Sequence, residues 1–186
     1  MVKDKLYGVW DPLIRLFHWS LVFFFFLAYL LESSRLALHS HAGYTVALLV
    51  LFRLLWGLIG TCHARFENFL TRPGKAINYC MQLLAGSAAA TTGHNPAGAM
   101  MILFLLTSLS ITALSGISMF AVQGSGPLAN TIVANWPGNV LQDVHALFSD
   151  ITLLLIIVHV IGVLITSRLH KQNLTRAMIT GKKTSV

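Results

Sequence analysis

The stretch VHALFSDITLLLIIVHVIGVLITS, residues 144–167, decides how this chain is read. It is long and apolar enough to cross a bilayer core, which takes about 20 residues of helix. Its one charge is Asp150, near the start, and its two histidines, His145 and His159, stand fourteen residues apart. On a helix, fourteen steps return to within about 40° of the same face, displaced by about 21 Å along the axis. One helix thus offers two imidazoles on one stripe, one in each leaflet. A compact metal centre needs ligands that converge on one point. The spacing suits two stacked haems instead.

Three further stretches match this one. Residues 13–31 contain the run Phe23-Phe24-Phe25-Phe26; 39–60 are interrupted only by Arg53; 97–122 carry no charge. Of all residues, 55% are hydrophobic and 10% charged, whereas soluble domains carry about 25% charged residues. Mean hydropathy is +0.71. The expectation is an all-α membrane protein: a four-transmembrane-helix bundle forming one domain over residues 1–186. Residues 73–84 are expected to form a short interfacial helix between spans two and three. Pro73 suits a first helical position, and Ala76, Ile77, Cys80, Met81 and Leu84 recur at helical steps on one apolar face. The linker after span three, with Gly124, Gly126, Pro127, Pro137 and Gly138, is expected to be irregular.

Loop charges set the topology. Lys3, Lys5 and Arg15 precede or open span one; Arg65, Arg72 and Lys75 lie between spans two and three; Arg168, Lys171, Arg176, Lys182 and Lys183 follow span four. The linker 123–143 has no Lys or Arg, and the first linker only Arg35. The positive-inside rule then places both termini and the middle loop of a multi-pass membrane protein in the cytoplasm. The net charge of +7 fits anionic lipid headgroups and calls for no nucleic acid. No signal peptide is expected, since no small-residue cleavage site closes the first apolar run. Cys62 and Cys80 have no metal-type spacing, and no Cys-x-x-Cys-His motif attaches haem covalently.

Eight histidines are present. A lone one in or beside a span is more often a packing or headgroup residue than a ligand; pairing at matched depth changes that balance. His18 lies near the cytoplasmic end of span one and His159 near that end of span four, so they can meet. At the other face, His39 and His41 open span two, where His145 opens span four. His39 and His41 point about 200° apart, so one of them at most faces His145. His39 is the choice, because Gly43 follows on its face and leaves room for a flat porphyrin; His41 is the alternative. Arg53 shares the His39 stripe fourteen residues on. It either snorkels to the headgroups or binds a haem propionate or a quinone. Arg15 has the same two roles open to it. His63, His94 and His170 fall in cytoplasmic segments. Met119 is read as packing rather than as an axial ligand.

The segments Val9-Trp10-Asp11-Pro12, Arg15-Leu16-Phe17-His18-Trp19, His39 through Gly43-Tyr44 to Arg53, Trp56-Gly57 and Gly60, His63-Ala64-Arg65-Phe66, Gly93-His94-Asn95-Pro96 and the tail 173–182 are similar to the prokaryotic cytochrome b561 family. That family is related to the b-type cytochrome subunit of nickel-iron hydrogenases. His145 and His159 resemble its fourth-helix ligand pair, and the resemblance covers nearly the whole chain. It implies four helices, non-covalent haem b, and exchange of electrons with quinone and an extracytoplasmic partner. It favours His39 over His41, because the family histidine also stands four before the glycine and fourteen before the arginine.

The expectation is therefore two haem b groups, with His18, His39, His145 and His159 as iron ligands. Arg53, Arg15 and Gly43 are the candidate cofactor-binding residues. Saturated irons favour electron transfer over oxygen chemistry. The expected function is a respiratory-chain relay between the quinone pool and a periplasmic partner such as a c-type cytochrome. Alternatives are a quinone-reducing superoxide oxidase and a membrane-anchor cytochrome subunit of a larger oxidoreductase. A non-redox membrane protein would leave the histidine spacing a coincidence. Membrane lipid is the expected surroundings, with a homodimer or a larger complex as the assembly.

Overall fold

The computed structural model describes residues 6–31, 35–62, 64–68, 70–89, 91 and 95–184. Four helices are long and apolar enough to cross a membrane: α1 (Pro12–Leu30), α2 (Leu36–Ile59), α4 (Pro96–Val122) and α5 (Gly138–Leu169). The shorter α3 (Pro73–Leu84) and α6 (Leu174–Thr180) complete the helical set. The protein is thus an all-α membrane protein with four spans, as its hydropathy dictates.

Local chemistry explains the helix ends. Asp11 accepts a hydrogen bond from the Ile14 amide at 2.8 Å, satisfying an orphan donor of α1, and Pro12 follows at the first helical position. In α3, Pro73 opens the helix and Ala76 and Tyr79 are buried, while Ile77, Met81 and Leu84 are exposed. An apolar row turned away from protein is what a helix lying on lipid presents. Asn173 caps α6 by accepting from the Arg176 amide at 2.7 Å, and Gly181 ends it in the left-handed conformation, φ 79°.

Three features depart from the expected outline. The helix of the fourth span, α5, starts at Gly138, not at 144. Hydropathy marks only the apolar part of a helix, and once nucleated the hydrogen-bond ladder extends cheaply through Asn139, Gln142 and Asp143. The tail carries α6. Beyond it, a two-stranded ribbon forms: β1 (Leu6–Gly8) pairs antiparallel with β2 (Lys182–Thr184). Strands this short carry no readable period-two pattern.

The chain divides into two compact units. One holds the described residues up to His18, Arg53–Phe104 and those from Leu155 onward; the other holds Trp19–Phe52 and Leu105–Leu154. The first is tied by polar contacts at its chain ends. Thr61 donates to Asp11 at 2.6 Å and the Trp56 indole at 3.4 Å. Arg15 Nη1 donates to the Ile179 carbonyl at 2.6 Å, and the Val9 amide donates to the Gly181 carbonyl at 2.9 Å. The second unit is held by an α4–α5 seam. Ser108 and Thr152 hydroxyls lie 2.7 Å apart, both buried, and Thr152 also donates to the Phe148 carbonyl at 2.7 Å.

Candidate functional site

In the second unit α2 and α5 bring His39 and His145 together, edge to face. Their ring centroids are 6.0 Å apart with planes at 74°. His39 Nδ1 lies 3.0 Å from the Ala28 carbonyl, and His145 Nδ1 lies 2.8 Å from the Thr112 carbonyl. A carbonyl oxygen can only accept, so each Nδ1 must carry the proton. Each Nε2 is then the lone-pair nitrogen, free to bind a metal, with the carbonyl fixing tautomer and ring orientation. A metal lies about 2.0–2.1 Å from an imidazole nitrogen, so two rings that would share one metal need centroids roughly 6 Å apart. The observed separation meets that requirement.

The two rings border a cavity of about 430 Å³, within the range of roughly 300–1,000 Å³ usual for cofactor sites. Gly43 lines it, and a Cβ built there would meet nothing within 4 Å. Gly116, on α4, faces it too, and a Cβ there would stand 2.9 Å from His145 Cε1. Ser115 adds a hydroxyl 3.3 Å from His145 Nδ1. Thr112, Ser115 and Gly116 were not singled out by sequence reasoning. Their signal was a glycine in span three, four residues after a threonine and one after a serine. Met119 lines the same cavity.

His41 is exposed, and its Nδ1 lies 2.6 Å from the Ala37 carbonyl one turn back on its own helix. The structure thus brings His39, not His41, to His145.

The first unit holds His18, on α1, and His159, on α5. They are near enough for a charge on His159 to act on His18. Arg53 also lies there, only 4% exposed, with its guanidinium carbon 4.8 Å from the Phe66 ring centroid. The site selects glycine at position 57, whose Cβ would run into the Phe66 ring. Arg53 also feels the charge of Asp11. Burial alone would push the Asp11 carboxyl up. Hydrogen bonds from the Thr61 hydroxyl, the Ile14 amide, the Trp56 indole and the Leu13 amide outweigh it and hold the group below its ordinary 3.8. Arg53 is therefore a buried cation over an aromatic face, not a side chain stretched to solvent. Arg15 is tethered to α6 through Ile179. His170 lies 3.5 Å from the Tyr79 hydroxyl; His63 and His94 lie outside the described residues.

Among the described residues, no three His, Cys, Asp or Glu side chains converge as a ligand cluster. Paired histidines beside an open cavity fit a macrocycle that supplies its own equatorial ligands, so the residues present could hold haem.

The family model of prokaryotic cytochrome b561 matches residues 9–181. No curated relative and no solved structure matches the chain.

Proposed function

This chain belongs to the prokaryotic cytochrome b561 family, and from that premise we propose that it relays electrons across a bacterial inner membrane between the quinone pool and a periplasmic partner such as a c-type cytochrome. Membrane electron transfer on haem b follows from the family itself. The finer reading assigns two haem b groups, one between His39 and His145 and one between His18 and His159.

The observation that carries it is the His39–His145 pair. Both rings donate Nδ1–H to backbone carbonyls, and their centroids are 6.0 Å apart beside a cavity that Gly43 leaves open. When bound, haem iron with two imidazoles supplies reversible one-electron chemistry and leaves no open position for oxygen. The chain's part is to hold the rings, keep water from the iron and set the surrounding charge. Arg53 and Arg15 are assigned to the cytoplasmic side, where their charge suits a propionate or a quinone head group. Superoxide oxidation at the outer site would need a cationic approach for its anionic substrate. The cavity beside His39 and His145 is lined by no Lys or Arg among the described residues. That favours the relay.

A reduced-minus-oxidised spectrum of purified protein, followed by reduction with quinol, tests this reading. Two low-spin b-type signals reducible by quinol are expected; haem that quinol leaves oxidised would contradict the quinone assignment.

A further inference from the structure

The cavity beside His39 and His145 contains one buried donor without an acceptor. The Tyr44 hydroxyl is screened from solvent and has no hydrogen-bond partner among the described residues. It is held in place rather than loosely packed. The Tyr44 ring meets Phe120 edge to face, centroids 6.4 Å apart, at the end of α4. The following turn passes beside the hydroxyl at Gly126, φ 79°, where a Cβ would lie 2.7 Å from the phenol oxygen. Gly126 thus serves twice, by adopting a left-handed backbone and by leaving space for the phenol.

A buried hydroxyl without an acceptor is unfavourable, so its persistence points to a ligand acceptor. Among the residues lining the cavity, Gln123 follows the end of α4 and Gln142 lies in the first turns of α5, so the cavity reaches the loop end of these two helices, where Gly126 meets Tyr44. A haem carries two carboxylates, and these are expelled from the apolar middle of a membrane toward such an end. The same end offers no Lys or Arg among the described lining residues.

We propose that Tyr44 donates its hydroxyl hydrogen to a propionate of the haem held by His39 and His145, so that a neutral phenol anchors that carboxylate. The proposal rests on the assignment of haem to this pair. It is independent of partner and of the direction of electron flow.

The test uses purified protein carrying its full haem complement, and the haem in question is the one absent from His145→Ala. Transfer of haem to excess apomyoglobin is followed optically for wild type and Tyr44→Phe, which keeps the ring against Phe120. The phase belonging to that haem should run roughly tenfold or more faster in Tyr44→Phe, the loss expected for a hydrogen bond to a charged acceptor. The other phase should be unchanged. Resonance Raman spectra should show a shifted propionate bending band, which altered packing alone would not move. Gly126→Ala should act in the same direction. Unchanged transfer and an unchanged propionate band in Tyr44→Phe would overturn the proposal, as would faster transfer with no band shift. A wild type lacking any His145-dependent haem would overturn the haem assignment, and this proposal with it.

Discussion

His39 and His41 stand two apart on one helix, yet their imidazoles have opposite fates. His39 donates across to Ala28 of α1, and His41 turns back to Ala37 of its own helix. Helical rotation of about 200° over two residues is enough to separate them, so this distinction was legible in the sequence. His39→Ala is therefore expected to remove one low-spin haem, and His41→Ala to leave both, read from reduced-minus-oxidised spectra. Gly116→Val should remove the same haem as His39→Ala, because the new side chain enters the space of the His145 ring. Retention of both haems in Gly116→Val would show that the His145 orientation does not matter. The roles of Gly116, Ser115 and Tyr44 escaped the sequence reading for one reason. Their roles come from what a neighbouring helix or turn places against them, and periodicity within one helix does not report that.

At the scale of elements, the four spans were legible because hydropathy over 18 or more residues leaves little alternative in a chain this apolar. The ribbon of β1 and β2, the helix α6 and the early start of α5 were not, since polar caps and short ladders decide them. Two contacts can be tested here. Thr152 is fully buried and joins α4 to α5 through Ser108. Thr152→Val should cost about 0.6 kcal/mol and at most about 1.7 kcal/mol, the range found for hydrogen bonds between membrane helices. Unfolding in mixed micelles measures it, and a loss of several kcal/mol would mean the pair does more than join two helices.

Asp11 ties the start of α1 to Trp56 and Thr61. Its carboxyl is held below 3.8, so the folded state favours the ionised form. That contribution is fully present above 3.8 and is lost as pH falls through the depressed value. The stability difference between wild type and Asp11→Asn should therefore narrow on acidification below 3.8. Thermal melts across that window measure it, and a difference that stays constant with pH would contradict the assigned hydrogen bonds.

For the whole molecule, the uneven spread of Lys and Arg was the only guide to orientation. The orientation we propose from it puts the His39–His145 pair on the periplasmic side. A membrane-impermeant reductant added to spheroplasts should then reach that haem first; earlier reduction of the haem that depends on His18 would reverse the orientation. The central claim is that one chain holds two haems in two histidine pairs, His39 with His145 and His18 with His159. The pyridine haemochrome assay on fully loaded, purified protein, set against amino-acid analysis, tests it most directly. The account predicts two haem b per chain, all extractable by acid-acetone, and one per chain in either His145→Ala or His159→Ala. A single haem per wild-type chain would contradict it.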